Sequence, residues 1–404
     1  MKTTLLIAFL TVAGAVQAQS WWAQTSNTTE DLMNINFYNN NTGMAFGDTL
    51  STMVKTSNQG VLWSELSPVF TAGELLSSSY LDANTIIAVG VHDISGGDGL
   101  VMKSANGGST WTTDTNIPEK LFDVDFATST NGWISGENGY IARTTDGGTS
   151  WQQQTTATGE DIFSIDFVDA NEGWAVGTVD SIAVILHTTN AGTNWTMQVS
   201  GVNEPLFSVF FVDNMNGWAV GANGTIIATT DGGTTWAPQT SGVLNDLFSV
   251  SFVSASHAWA VGSSGTILRT TDSGNTWTSQ TSTVTGDINS IKMLTVNTGW
   301  FCGKNGQIYY YGFPTEIPES NISNINFKIY PNPNDGNFEL RIENEELRNA
   351  EVTIYNVLGE RVYETYVRYQ VSGIRIDISS LPKGVYFLQL KTAAGTVNRK
   401  IMLQ

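Results

Sequence analysis

Acidic side chains recur along this chain at one register. Its frame is a glycine that returns every 41 to 46 residues, at Gly47, Gly90, Gly136, Gly177, Gly221, Gly262 and Gly303. Fifteen residues before each glycine an alternating apolar run begins, at Leu32, Leu75, Leu121, Ile162, Leu206, Leu247 and Ile288. Just ahead of each run stands an acid: Glu30 with Asp31, Glu74, Glu119, Glu160 with Asp161, Glu204, Asp246 and Asp287. Seven such carboxylates on one rim would attract a cation such as calcium, or a basic partner. Two of them facing one cleft, one with a raised pKa, would be the pair a glycoside hydrolase needs. The competing reading is structural, with each acid a turn residue that is solvated or paired locally.

Other residues of chemical interest lie where the repeat is broken. One connection swells to GVHDISGGDGL (90–100) and another to GTVDSIAV (177–184). His92, Asp93 and Asp98 in the first could belong to a metal or ligand site, or to a decorated surface loop, because function concentrates in loops that depart from a scaffold. The connection SPVFTAGE (67–74) is a further candidate. A cation or histidine also recurs in five units, at Lys55, Lys103, Arg143, His187 and Arg269, where an ion pair or plain exposure is expected over ligand binding. The three histidines, His92, His187 and His257, fall in separate units, and no nucleophilic triad, phosphate loop or zinc spacing stands out.

The elements that must position these residues are written in a second motif. TTDGGTTW (229–236) has near copies TSNQGVLW (56–63), SANGGSTW (104–111), TTDGGTSW (144–151), TTNAGTNW (188–195) and TTDSGNTW (270–277). Their tryptophans are 48, 40, 44, 41 and 41 residues apart. The polar residue in each copy (Asn58, Asn106, Asp146, Asn190, Asp231, Asp272) is expected to cap N–H groups of a turn, with glycine supplying the backbone freedom and tryptophan packing across the unit. NGWISG, EGWAVG, NGWAVG, HAWAVG and TGWFCG keep step with the turns. Short alternating runs, Asn-Gly turns and the absence of helical periodicity give all-β structure. A seven-fold period of this length is that of four-stranded propeller blades.

The seventh unit lacks a turn-and-tryptophan segment of its own. WWAQTSNTTEDL (21–32) aligns without gaps on WAPQTSGVLNDL (236–247), so the N-terminal segment is expected to supply the outer strand of the last blade and close the ring. The turn motif resembles the Asp-box, or sialidase-type, BNR repeat. The whole run with its GWAVG segments resembles the photosystem II stability/assembly factor-like propeller family over roughly 20–313, which implies a fold and a precedent for docking onto another protein rather than an activity.

Composition bounds the rest. Residues 1–18 read as a signal peptide, with Lys2, an apolar stretch from Leu5 to Val16, and a small-residue cleavage site ending at Ala18. No later stretch suits a transmembrane helix. The single Cys302 excludes an internal disulfide and is expected to pack in a strand. Residues 19–313 form the predicted propeller, 314–325 a polar linker with prolines, and 326–404 a small Ig-like β-sandwich. YPNPNDG (330–336), IYNVLGERV (354–362), LPKGVYFLQL (381–390) and the ending RKIMLQ make this tail resemble the type IX secretion system C-terminal sorting domain. That resemblance implies the type IX machinery as partner, with the product released or anchored at the cell surface.

The net charge of −19 belongs to the propeller: 26 Asp and Glu against 7 Lys and Arg over 19–313, and 11 against 10 over 314–404. Such a body does not suit nucleic acid or an anionic membrane. A sialidase needs clustered arginines, and the propeller has two, Arg143 and Arg269, in separate units. Catalytic pairs break a repeat, whereas these carboxylates follow it. The expected function is therefore an exported, non-catalytic propeller that binds a protein or glycan on the carboxylate face, without a cofactor. The alternative is a secreted glycoside hydrolase of the Asp-box type.

Overall fold

The structure, a computed structural model, describes residues 20–48, 52–66, 73–92, 97–156, 158–180, 182–312, 327–342, 350–356, 361–367, 373–392 and 395–404. The signal segment 1–18, the linker 314–325, Asp93 and most of the 67–74 connection lie outside the described residues. The chain divides into two compact units, one of them 20–312 and the other holding the described residues from 327 onward.

The first unit is a propeller of seven four-stranded antiparallel sheets. Blades 1 to 6 each run in sequence order from an inner to an outer strand. Their inner strands are Leu32–Phe37, Glu74–Tyr80, Leu121–Phe126, Ile162–Phe167, Leu206–Phe211 and Leu247–Ser254. Blade 7 is built from Ile288–Thr295, Thr298–Gly303 and Ile308–Gly312, with Ser20–Gln24 as its outer strand. In that last pairing Trp21 lies opposite Tyr311 and Gln24 opposite Ile308. Each inner strand packs against the next around the ring, and that of blade 7 packs against that of blade 1.

Aromatic layers hold neighbouring blades together. The tryptophan of a GW segment stacks on the phenylalanine five residues into the next inner strand: Trp133 on Phe167 at 3.5 Å, Trp174 on Phe211 at 3.5 Å, Trp218 on Phe252 at 3.8 Å and Trp300 on Phe37 at 3.6 Å. The turn-motif tryptophan then meets the same phenylalanine edge-on, as Trp195 does Phe167 and Trp236 does Phe211, both at 5.8 Å. Each such pair adds roughly 0.5–1.5 kcal/mol beyond the area it buries.

The glycine frame has a steric cause. Gly177 and Gly262 lie against the main chain of the acidic residue that precedes the inner strand, where a Cβ would overlap the carbonyl oxygens of Asp161 and Asp246. The Asn-Gly turns behave as expected for two-residue hairpins, with both central residues left-handed: Asn138 at φ 55° with Gly139 at 71°, and Asn223 at 54° with Gly224 at 70°.

The C-terminal unit packs a three-stranded antiparallel sheet (Phe327–Tyr330, Asn337–Ile342, Gly373–Asp377) on a four-stranded one (Arg361–Val367, Ala350–Asn356, Gly384–Thr392, Gly395–Leu403). Phe338, Leu340 and Ile376 from one sheet share a core with Val352, Ile354, Leu388, Leu390 and Ile401 from the other.

Candidate partner-binding face

The repeating carboxylates do gather at one face, beside the turns that join second and third strands, and they divide into two kinds. Four aspartates reach back to the preceding blade and accept the N–H of its left-handed turn residue. Asp161 takes Asn138 at 3.1 Å, Asp246 takes Asn223 at 2.9 Å, and Asp287 takes Ser264 at 3.0 Å. Asp31 takes Asn305 at 2.7 Å, which ties blade 1 to blade 7. These are inter-blade staples, so for them the structural reading holds. Asp287 also pairs with Lys304 at 2.6 Å, and the lysine together with the Ser264 N–H holds its carboxyl below the usual range.

The glutamates are the second kind. Glu119 accepts the Asn138 side-chain amide at 2.7 Å and so supports a turn. Glu204 accepts only the adjacent Asn203 N–H, at 3.2 Å, among its described contacts. Glu74, the first residue of its inner strand, and Glu160 make no turn cap among the described residues. Glu30, Glu74, Glu160 and Glu204 are all half-buried. Lys120 and Lys304, the cations beside the collar, are both engaged, Lys120 with Glu137 at 3.3 Å.

Inside the collar lies a second ring, set by the backbone of the inner strands. Every inner strand carries a β-bulge near its start, between its first and third residues in six blades and between Leu75 and Ser77 in blade 2. A bulge re-aims the extra side chain. The seven extra residues are Met33, Leu76, Phe122, Phe163, Phe207, Phe248 and Asn289, all half-buried. The four phenylalanines touch in succession, with centroids 5.3, 5.8 and 6.0 Å apart. They form an apolar mouth to the central channel. The signal was visible as LF, IF, LF and LF opening four consecutive runs, but alternation alone gives no reason to turn the second residue toward the axis.

Deeper in the ring, polar side chains of one inner strand accept N–H groups from the free edge of the next. Asp123 takes Ile165 at 2.9 Å, Asp125 takes Phe167 at 2.8 Å, and Asp166 takes Phe211 at 2.7 Å. Ser164, Ser208, Ser249 and Ser290 do the same at 3.3–3.4 Å, the last onto Ile35 of blade 1. Unpaired edges are thereby satisfied without a further strand. Lys292 occupies the register of Asp125 and cannot accept, and there Asn36 caps the Phe37 N–H with its own side chain at 2.9 Å. Burial pushes the Asp125 carboxyl up to about 6, with the Asp123 charge adding to it. Burial, then the Asp125 charge, raises Asp166, while burial lowers Lys292 against the pull of both aspartates.

The remaining candidates are structural or dispersed. The main-chain N–H of His92 donates to the Asp98 carbonyl at 2.9 Å, a strand-like pairing at the base of the swollen loop. Among the described residues no group of three or more His, Cys, Asp or Glu side chains is placed to hold a metal ion.

The turn-motif residues cap as anticipated. Asp231 accepts the Thr235 N–H at 2.8 Å, Asp272 that of Thr276 at 2.9 Å, and Asp146 those of Thr149 and Ser150, both at 2.9 Å. Asn58, Asn106 and Asn190 accept Leu62, Thr110 and Asn194 at 3.0, 2.8 and 2.9 Å. Three of the five recurrent positions, where an ion pair or plain exposure is expected, stack on a tryptophan instead. Arg143 lies over the Trp133 ring at 5.5 Å, Arg269 over Trp259 at 5.0 Å, and His187 stacks on Trp174 at 4.7 Å. The two residues of each pair are direct cross-strand partners, so the register imposes the contact. His187 also meets a carboxylate, Glu172 at 3.2 Å.

Two open depressions lie on the propeller, one at the ends of the fifth and sixth inner strands (Phe210–Asp213 and Phe252–Ala255), the other beside Ala23–Thr29 and Asn305–Tyr309. Neither is lined by two carboxylates.

Comparison with known proteins agrees with this geometry. The family described as photosynthesis system II assembly factor YCF48 matches residues 112–203 and 197–310, and the secretion system C-terminal sorting domain matches 328–404. No curated protein matches the chain. Among solved structures, YCF48 bound to D1 peptide is similar at a TM-score of 0.62 and 18% identity, covering 74% of this chain and 96% of that one. YCF48 from Cyanidioschyzon merolae is similar at 0.60 and 17%, covering 72% and 98%. The WD40 propeller domain of Doa1 is similar at 0.59 and 12%, covering 73% and 98%. The sorting domain marks a chain exported by type IX secretion, and no described helix is long and apolar enough to cross a membrane. The propeller is therefore similar to the photosynthesis system II assembly factor YCF48 over residues 112–310, and the chain carries a secretion system C-terminal sorting domain over 328–404.

Proposed function

We propose that this exported propeller is a non-catalytic binding protein that takes a protein partner on its carboxylate face, outside the cell or at its surface. The observation that carries this reading is the apolar ring of bulge residues bordered by the half-buried Glu74, Glu160 and Glu204. Such a surface offers burial at the centre and charge selectivity at the rim, the usual division of labour in an interface. The similar structure of YCF48 with a D1 peptide supports a polypeptide ligand over a glycan. The hydrolase alternative gains little. Its carboxylates either hold turns or line the ring, and the open depressions lack an acid pair.

The test is binding of the intact chain to immobilised cell-surface proteins and to a glycan array. Glu160→Lys with Glu204→Lys is compared with Glu65→Lys on an outer strand. Loss of protein binding in the double variant alone supports the face. Binding equal in all three removes it. Asp161 and Asp246 are unsuitable probes because reversing them would also release a turn. Polysaccharide turnover abolished by a single carboxylate change would establish the hydrolase instead.

A further inference from the structure

We propose that the occupant of the channel mouth is an extended polypeptide segment with an apolar side chain flanked by lysine or arginine. This rests on the carboxylate face being the binding face, and it specifies the chemistry that face selects.

Three observations converge. First, the ring of bulge residues is apolar at six of its seven positions, with only Asn289 polar, and that amide is committed to the Leu32 carbonyl at 2.9 Å. Such a ring suits burial of an apolar side chain offered by a partner. Second, two large apolar side chains stand exposed on the same face, Leu244 at 84% in the connection before the sixth inner strand and Ile182 at 47% on the lengthened hairpin of blade 4. They offer further apolar surface on that face to a bound segment crossing the rim.

Third, the electrostatics of the rim favour a cation. Glu74, Glu160 and Glu204 border the mouth, while the nearby Lys120 and Lys304 are already paired. A concave site lined by one sign of charge and walled by protein focuses its potential on the opening. The aromatic side chains are phenylalanines, which offer no hydrogen bond, and the rim carboxylates only accept. A sugar seeking donors as well as acceptors is therefore poorly served.

The test uses the full chain and a fluorescein-labelled peptide alternating lysine with phenylalanine and leucine. Two controls replace either the lysines by glutamate or the apolar residues by serine. Anisotropy should show binding of the first peptide alone, weakening roughly fivefold or more between low and physiological salt. Phe207→Ala should weaken it by about tenfold, as should Glu160→Gln with Glu204→Gln, which changes charge without bulk. Phe207→Leu should retain most of the affinity, which separates a lost contact from a misfolded mouth. Equal binding of the glutamate peptide, or no effect of either set of variants, overturns the proposal. If no peptide binds while the surface-protein assay still depends on Glu160 and Glu204, the face stands and the peptide chemistry fails. If neither assay depends on them, both fail.

Discussion

Gln24 accepts the indole N–H of Trp63 at 3.0 Å, and its own amide donates to the Gln59 carbonyl at 2.9 Å. The outer strand of the last blade thus holds the first turn motif of the chain. The same clasp recurs inside the ring. Gln198 accepts Trp236 at 3.2 Å and donates to the Gly232 carbonyl at 3.2 Å, and Gln239 accepts Trp277 at 3.1 Å and donates to Ser273 at 3.1 Å. The join between chain start and chain end uses the bonding of any other blade boundary.

Gln24→Ala and Gln198→Ala should therefore destabilise the propeller similarly, by about 1–3 kcal/mol each, because each removes two part-buried hydrogen bonds and strands an indole N–H. Urea unfolding would measure it. A shift for Gln198→Ala with none for Gln24→Ala would show that the N-terminal strand does not fasten the ring.

The buried aspartates make stability depend on pH. Asp125 and Asp166 have folded-state values raised above the ordinary 3.8 of an exposed aspartate, Asp125 to about 6. A raised carboxyl contributes stability that is complete below its unfolded value and is lost as pH climbs through its folded value, here from about 4 to 6. Asp146, Asp213 and Asp272 are lowered by hydrogen bonds to their turns and act oppositely, losing stability as pH falls below the ordinary range. Stability should peak near pH 5. Asp125→Asn, which can still accept the Phe167 N–H, should flatten the decline between about pH 4 and 6. A melting series on both proteins would show it, and an unchanged slope in the variant would refute it.

Thr229 is the hidden half of the turn motif. Its buried hydroxyl donates to Asp231 at 2.8 Å and accepts the Gly233 N–H at 2.8 Å. Thr229→Val keeps the shape but leaves that N–H unpaired, and should cost about 1–3 kcal/mol. Partner binding, measured below the melting transition, should stay unchanged, since the motif belongs to the scaffold. A loss of binding without a loss of stability would give the turn a ligand role.

Cys302 is fully buried, and burial raises its thiol far above the usual range. Ellman's reagent should leave the native chain untouched and titrate one thiol in denaturant. Rapid native labelling would contradict the burial.

The number of blades, the strands within them and the place of the acids before each inner strand were legible because each is a local pattern repeated seven times. A glycine frame, a turn motif and an alternating run need only neighbours in sequence. The division of the acids into inter-blade staples and rim glutamates was not legible, since Asp161 and Glu160 differ only in which reaches a turn about twenty residues back in the chain. Nor was the pairing of Arg143 with Trp133, which needs the strand register. The apolar mouth and the buried aspartates arise only when seven inner strands converge on one axis. There a bulge turns Phe207 inward and curvature brings Asp125 to the free edge of the next blade. Sequence determined the repeating unit, because each unit is built from local hydrogen bonds and alternation. Tertiary structure decided the candidate site, because it is made of one residue per blade, and closing the ring is what brings those residues together.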